Sequence, residues 1–347
     1  MRTERFMPDR LRAQLGLPQF LPTRIFSGMN VFRGIALKLA STLLFAGMSA
    51  LVRYVSESVP VGQIVFFRSF FAILPVILIF AWRRELAAAV RTNRPLGHVA
   101  RGLIGLFGMF LNFAALALLP LAEVTAIGFA APLITVAMAA MFLGERVRVY
   151  RWSAIGFGFL GVLVMLAPHL GLGSGTASVA THTGIGALLA LGSAFTTAGS
   201  VIQTRRLTPS ETNSAIVFYF SLLATLGGLA TLPFGWVAPS PPVLAGLIGI
   251  GVLGGIAHLL LTESYRLAPA SVVAPFDYTA ILWAFILGYV LFGEVPVTLV
   301  FVGAAIVTAA GLFVIFRERQ LGVQRARGAI GTPAISTERV TSENEKR

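Results

Sequence analysis

Ten long apolar segments, separated by short polar connections, constrain the fold more than any other feature of this sequence. Each has a length within the range of about 17–25 residues that an α-helix needs to cross a bilayer. Only 12% of the residues are charged, about half the fraction found in a soluble domain. The sequence therefore predicts an all-α membrane protein with ten transmembrane helices. The predicted helices comprise residues 33–55, 61–82, 98–119, 121–143, 150–167, 183–204, 213–234, 242–263, 270–292 and 296–316.

The ten segments form two copies of a five-segment repeat. An offset of 149 positions superposes Glu145 on Glu294, and the residue before each glutamate is glycine. An offset of 152 positions superposes Arg53 on Arg205 in the first segment of each copy. A match of this length indicates an architecture built from one duplicated unit.

The odd number of segments in each copy has a topological consequence. After five crossings the second copy enters the membrane from the opposite side, so the two halves are expected to form inverted repeats. Secondary transporters use this arrangement and bind their substrate near the middle of the membrane, between the halves. The predicted repeats comprise residues 31–168 and 183–317, flanked by a disordered leader (1–30) and a disordered tail (318–347).

The basic residues predict the orientation of the chain. Lys and Arg occur in the leader, in the tail and in the even-numbered connections, whereas the odd-numbered connections contain none. By the positive-inside rule, both termini are expected in the cytoplasm, with the helices in the inner membrane of a bacterium. The net charge of +13 thus sets topology and contacts the anionic lipids of the bilayer, and no nucleic-acid partner is expected.

The sequence resembles a known family of transporters. Residues 274–296, APFDYTAILWAFILGYVLFGEVP, together with the Gly-Glu ends of both fourth segments, resemble the EamA-type permeases of the drug/metabolite transporter superfamily. Within it, the stretch is similar to the branch of riboflavin and S-adenosylmethionine permeases and amino-acid exporters. The resemblance covers roughly Val31 to Arg317. It implies a central cavity that opens alternately to each side of the membrane.

Two charged residues lie deep inside predicted helices. Arg68 and Asp277 each follow the start of a segment by about seven residues, which places each about 10 Å below a membrane surface. A charge at such depth costs about 2.5–3.5 kcal/mol on insertion scales and needs a reason. The two residues are candidates to bind opposite ends of a zwitterionic substrate, and the alternative is a structural charge network. Lys38 is expected to extend its amine to the membrane interface instead.

Other polar and aromatic residues within the segments are further candidates for substrate contact. Aromatic rings can stack on a planar metabolite, and a histidine can carry a proton. The alternative for each is packing or an interhelical hydrogen bond. These candidates are Asn112, Tyr219, His258, Tyr278 and Trp283.

A second group of residues is predicted to have gating or structural roles. A carboxylate at the C-terminal end of a helix opposes the helix dipole, so the recurrence of Glu145 and Glu294 predicts a partner for each. Glu263 and Arg266 are candidates for an inner gate. Proline interrupts helical hydrogen bonding, so two prolines are expected to kink the fourth and ninth helices. These prolines are Pro132 and Pro275.

The predicted function is secondary transport of a small organic metabolite, zwitterionic or aromatic, by alternating access. The alternatives are a facilitative pore or a membrane scaffold, and less favoured is an intramembrane enzyme. The sequence contains no Cys, no zinc-binding His-Glu-x-x-His motif and no Gly-x-Ser-x-Gly nucleophile turn, so no enzyme activity, metal or cofactor is expected. A monomer is sufficient to form one pathway, and a dimer is an open alternative.

Overall fold

The computed structural model describes residues 28–82, 91–144, 148–170 and 177–330, and these residues form helices and connections without a β-strand. Short 3₁₀ turns follow α6 and α8 and separate α10 from α11. The α-helices are α1 (Gly28–Val55), α2 (Val61–Trp82), α3 (Pro95–Leu118), α4 (Leu121–Gly128), α5 (Ala130–Leu143), α6 (Val149–Leu166), α7 (Ala177–Leu207), α8 (Asn213–Leu229), α9 (Pro241–Leu267), α10 (Ala270–Val273), α11 (Thr279–Phe292) and α12 (Thr298–Ile330).

The described helices agree with the predicted membrane protein in class and largely in number. Within the described ranges, 8 helical segments are long and apolar enough to cross a membrane. They coincide with eight of the ten predicted helices. The other two, predicted at 61–82 and 213–234, coincide with shorter apolar stretches, Val61–Ile73 and Ala215–Leu229.

The fourth and ninth segments are each interrupted near a proline. The break between α4 and α5 lies at Phe129, three residues before Pro132. The break before α11 is a 3₁₀ turn, Ala274–Tyr278, that contains Pro275. Phe129 and Tyr278 are 149 positions apart, the offset of the repeat, and their rings stack with centroids 4.8 Å apart. The two breaks therefore meet each other inside the protein.

The same two segments also end in the same way. Gly144 terminates α5 with φ 64° and Gly293 terminates α11 with φ 66°. Only glycine adopts this left-handed conformation without a steric cost from Cβ. The Gly-Glu pair that marks the repeat in the sequence therefore includes the residue that stops each helix.

The helices of the two halves interlock. Four helices of the first half each pack along a helix of the second half: α1 along α9, α2 along α8, α3 along α7 and α6 along α12. The interrupted segments also meet, through α4 and α11. Exchange of the two halves leaves the first four of these helix pairs unchanged as a set.

Small residues allow the closest approaches between helices. A Cβ atom built on Gly161 of α6 would lie 2.9 Å from the carbonyl oxygen of Gly303 in α12, so only glycine fits there. Between α1 and α9, the hydroxyl of Ser41 donates to the Ala257 carbonyl (2.9 Å) and that of Ser264 donates to the Gly34 carbonyl (2.8 Å). Close packing and interhelical hydrogen bonds of this kind stabilise helix bundles within lipid.

Candidate functional site

A polar cavity of about 630 Å³ lies between the two halves of the molecule. Its volume is within the range of about 300–1,000 Å³ that is typical of small-molecule sites. Helices α1, α2 and α3 of the first half and α7 and α8 of the second supply most of its wall. The lining residues include Phe45, Met48, Arg68, Arg101, Met109, Asn112, Phe113, Ser193, Thr197, Ser200, Thr204, Arg205 and Phe220.

Arg68 brings a positive charge into this cavity from α2. Its side chain is buried, with 8% of the residue exposed. The guanidinium donates a hydrogen bond to Nε2 of His258 on α9 over 3.3 Å. The His258 ring in turn meets the ring of Phe45 edge to face, with centroids 4.8 Å apart. His258, a candidate for substrate contact from the sequence, therefore contacts Arg68 and Phe45.

Arg101 brings a second positive charge from α3. It donates a hydrogen bond through Nε to the hydroxyl of Thr204 over 3.3 Å. Its guanidinium also lies 4.2 Å from the centroid of the Phe220 ring, a cation–π contact. Its Nη1 atom is buried and has no hydrogen-bond partner in the described part of the chain. One face of the Arg101 guanidinium thus contacts the Phe220 ring, and its Nη1 donor is unsatisfied among the described residues.

The described part of the chain supplies no carboxylate partner to either arginine. Each ion pair among the described residues involves other cations. The described residues that line the cavity include Arg68 and Arg101 and no Asp or Glu. These two guanidinium groups therefore bring positive charge to the cavity wall without a carboxylate of the described lining beside them.

Lys38 and Asp277 form a separate charged pair. Lys38 Nζ lies 2.5 Å from Asp277 Oδ1, and the Lys38 side chain is only 1% exposed. The amine also donates to the Tyr265 hydroxyl over 3.2 Å. The expectation that Lys38 reaches the membrane interface was wrong, because the carboxylate of Asp277, a partly exposed side chain of the ninth segment, lies within its reach. Asp277 thus pairs with Lys38, while Arg68 contacts His258.

Glu294 joins three helices at one end of the molecule. Its carboxylate accepts from Arg53 Nε of α1 over 3.2 Å and from the backbone N–H of Leu121 over 2.8 Å. Leu121 is the first residue of α4, whose N-terminal dipole favours a nearby negative charge. Arg53 also donates to the carbonyl of Ala117 over 3.1 Å. These contacts supply the partner that the recurring glutamate predicted, and we call them the Arg53–Glu294 cluster.

The remaining predicted residues have several different environments. Asn112 lines the cavity. The Tyr219 ring contacts the His98 ring at a tilt of 35°, with centroids 4.7 Å apart, and the Tyr278 hydroxyl packs against Gly311. Trp283 has a buried Nε1 that finds no hydrogen-bond partner within the described ranges. Glu263 and Arg266 pair with each other on the exposed surface of α9, at 2.8 Å, and Glu145 lies outside the described residues.

Sequence reasoning did not select Arg101 as a site residue. Arg101 follows the start of α3 by only six residues, so its charge had the position of an ordinary topology-setting arginine. The signal that distinguishes it is contact with Thr204 and Phe220 of the other half, which the sequence does not show. Among the described residues no group of three His, Asp or Glu side chains forms a metal site.

A further polar cluster surrounds Glu211 in the connection between α7 and α8. His98 Nε2 donates to one carboxylate oxygen over 3.1 Å, and the Asn93 backbone N–H donates to the other over 2.9 Å. Burial raises the pKa of Glu211, but these hydrogen bonds outweigh it and place the pKa below its ordinary value. The cluster attaches the start of α3 to the second half.

An interlocked bundle of apolar helices around a polar cavity defines the class of membrane transport proteins. The chain belongs to the EamA-like transporter family, whose family model matches residues 32–167 and 184–317. The match confirms the resemblance that residues 274–296 indicated. The protein is accordingly a multi-pass membrane transporter and not an enzyme.

Characterised relatives carry several different small metabolites. The chain is 28% identical to the S-adenosylmethionine uptake transporter of Rickettsia prowazekii, over 83% of this chain and 94% of the relative. It is 33% identical to the riboflavin transporter of Rhizobium johnstonii (67% and 74%) and 29% identical to the pseudopaline exporter of Pseudomonas aeruginosa (80% and 94%). One solved crystal structure, 20% identical, matches 83% of this chain and 98% of its own with a TM-score of 0.58, which shows a shared fold.

Proposed function

We propose that this protein moves a small organic metabolite across a bacterial inner membrane by alternating access, with the central cavity as its substrate site. The observation that carries the proposal is that residues of both halves line one cavity, for example Arg68 and Asn112 from the first and Thr197 from the second. A relative motion of the halves would change which side the cavity faces. This is the location of the site that inverted-repeat transporters use.

The proposed architecture has ten transmembrane helices in two inverted halves. Three observations support it: the odd number of segments in each sequence repeat, the matching terminal glycines of α5 and α11, and the contact between the two helix breaks. Basic residues in the even-numbered connections support a cytoplasmic location for both termini. One chain contains both halves, so a monomer is sufficient.

The Arg53–Glu294 cluster is the proposed gate at the periplasmic side. With a cytoplasmic N-terminus, α1 ends at the periplasm, where Arg53 and Glu294 join α1, α4 and α11. The cavity lining extends to Arg205, two residues before the cytoplasmic end of α7. The structure therefore supports a state closed at the periplasm. In the sequence repeat, Arg205 and Glu145 correspond to Arg53 and Glu294, which makes them candidates for the opposite gate.

Of the predicted zwitterionic or aromatic substrate, the proposal keeps the aromatic character, whereas binding of a substrate amine by Asp277 has a further requirement. Phe45, Phe113 and Phe220 line the cavity and offer apolar faces to a planar metabolite. The relatives named for riboflavin and S-adenosylmethionine also handle molecules with planar rings. Asp277, the predicted partner for a substrate amine, is within 2.5 Å of Lys38, so its availability requires that this pair opens.

Counterflow in proteoliposomes tests the proposed function. Vesicles loaded with an excess of unlabelled S-adenosylmethionine, riboflavin or a mixture of amino acids are diluted into the same labelled compound. Alternating access predicts saturable accumulation of at least one compound. The variant Thr197→Trp fills the cavity and is expected to abolish accumulation. The control is Phe195→Trp: Phe195 lies on the same helix, outside the cavity lining, and is 46% exposed, so this change is expected to leave accumulation intact. Uptake that does not saturate would indicate a pore instead, and equal activity of the two variants would exclude this cavity.

A further inference from the structure

We infer that the cavity recognises its substrate through an anionic group, a carboxylate or a phosphate, bound by Arg68 and Arg101. This inference deepens the proposed transport function and rests on it. The remaining body of the substrate would then pack against Phe45, Phe113 and Phe220, which line the same cavity. The substrate class is therefore an organic anion with an apolar or aromatic body.

The first argument is the absence of a protein counter-charge. Arginine remains charged in proteins, and a buried charge is strongly unfavourable unless it is paired. In the described ranges, the contacts of Arg68 and Arg101 are with neutral or aromatic groups: His258, Thr204 and Phe220. The buried Nη1 of Arg101 has no acceptor among the residues that the structure describes. An anion in the cavity would supply what both guanidinium groups lack.

The second argument is that the two arginines face the same space. Both line the cavity, and they are close enough for their charges to repel each other. In the proposed topology, Arg68 lies about 10 Å along α2 from its periplasmic start, and Arg101 about 9 Å along α3 from its cytoplasmic start, so the two side chains reach the cavity from opposite sides of the membrane. Since two long side chains approach the cavity from separate helices, an anion between them would replace repulsion by attraction on both sides.

The third argument concerns the chemistry of the donors. A guanidinium group presents a planar set of N–H donors that matches the two oxygens of a carboxylate or a phosphate. Ser193, Thr197 and Ser200 of α7 add hydroxyl groups to the same wall. Hydroxyls can donate to the remaining oxygens of the anion. The aromatic side chains and the volume of about 630 Å³ exceed what an inorganic anion requires, so the ligand is organic.

The rest of the charge distribution favours an anion over a cation. Two acidic side chains of the ninth segment and its end are already engaged: Asp277 by Lys38 and Glu294 by Arg53. Within the described lining, no carboxylate is present to bind an ammonium group. Among the described lining residues, a substrate cation would meet arginines and neutral groups and no carboxylate.

Binding to the purified protein in lipid nanodiscs tests the inference with two matched pairs of probes. The phosphate pair is riboflavin 5′-phosphate and riboflavin, and the carboxylate pair is indole-3-propionate and indole-3-propionamide. Each pair keeps the aromatic body and changes only the anionic group. At least one anion is expected to bind about 10- to 100-fold more tightly than its neutral partner, which corresponds to a charge-assisted hydrogen bond. The pair that discriminates identifies carboxylate or phosphate as the preferred group.

Variants then assign the effect to the two arginines. Arg68→Gln and Arg101→Gln are each expected to reduce the discrimination to about threefold or less, and Arg68→Lys to retain part of it. The control Arg33→Gln removes the same charge from an exposed position of α1 and is expected to change nothing. Circular dichroism and size-exclusion profiles establish that each variant is folded. Because the wild-type comparison needs no variant, it stands even if one of them does not fold.

The outcomes separate this inference from the transport proposal. Equal affinity of both members in both pairs, or discrimination that survives in the two glutamine variants, overturns the anion site. Saturable counterflow of a neutral or cationic compound that persists in Arg68→Gln would support transport and overturn the anion site. Anion-selective binding without any counterflow would support the site and overturn the transport role.

Discussion

Buried or half-buried positive charges occur in two regions of this molecule, and the two regions differ in whether a carboxylate pairs with the charge. In the first region, two cations of α1 are paired: Lys38 contacts Asp277 in the ninth segment, and Arg53 contacts Glu294, which follows the end of that segment. In the second, Arg68 and Arg101 line the cavity, and the described residues give them no carboxylate. A cation that is paired inside the protein links helices together. A cation that is left unpaired beside a cavity is suited to bind a ligand.

The paired region has a mechanical consequence. Lys38 and Arg53 both attach α1 of the first half to the interrupted ninth segment of the second half, at two different levels. These contacts cross between the halves that alternating access would move. The predictions below break the paired contacts in order of expected effect.

The largest effect is expected from Asp277→Asn. This change leaves Lys38, 1% exposed, as an uncompensated buried cation. The expected loss of unfolding free energy is about 2–3 kcal/mol, below the about 3–5 kcal/mol of a fully buried pair, because the Asp277 side chain is 43% exposed. Unfolding titrations in mixed micelles, followed by circular dichroism, measure the loss.

The matched control for this prediction is Lys38→Met. It removes the buried cation and leaves a carboxylate that water can reach, so it is expected to cost less than Asp277→Asn. The double variant Lys38→Met/Asp277→Asn should recover most of the stability. If Lys38→Met is the more damaging change, the account of this pair is wrong.

An intermediate effect is expected at the Arg53–Glu294 cluster. A double-mutant cycle with Arg53→Gln and Glu294→Gln should give a coupling energy of about 1–2 kcal/mol, between the values for exposed pairs and for buried charged hydrogen bonds. Thermal unfolding in nanodiscs supplies the four stabilities. Additive effects of the two changes would show that the contact contributes nothing. The exposed pair of Glu263 and Arg266 provides a comparison cycle that should give less than about 0.5 kcal/mol.

The smallest effect is expected at Glu211, and it depends on pH. Since hydrogen bonds lower the pKa of Glu211 in the folded state, its contribution to stability is present above its ordinary pKa of about 4.3. The contribution is lost as the pH falls through the lower, folded-state pKa. The melting temperature of wild type should therefore exceed that of Glu211→Gln at pH 7 and approach it below about pH 4. A constant difference across this range would contradict the assignment.

The sequence predicts the class of fold well because that class depends on local properties. Segment length and charge distribution identified the helices, and the Gly-Glu repeat identified residues that end α5 and α11, where Gly144 and Gly293 adopt positive φ. These features need no knowledge of which helices touch. The ten-helix inverted topology follows from the same features and stays a prediction.

The site is less predictable because it depends on contacts between distant segments. Depth in the membrane identified Arg68 and Asp277 as candidate functional charges. It did not reveal that Asp277 pairs with Lys38, which lies 239 positions away in the sequence. Arg101 was not selected because six residues from a helix start is a common place for arginine. The contacts that distinguish it come from α7 and α8 of the other half.

The most direct test of alternating access uses the absence of cysteine from the sequence. A single cysteine introduced at Thr197, in the cavity wall, can be modified by a membrane-impermeant thiol reagent added to either face. We expect modification mainly from the cytoplasmic face, and a shift toward the periplasmic face when Glu294→Gln weakens the opposite closure. Equal modification from both faces at once would indicate a continuous pore, and no modification from either face would show that the cavity is not a transport pathway.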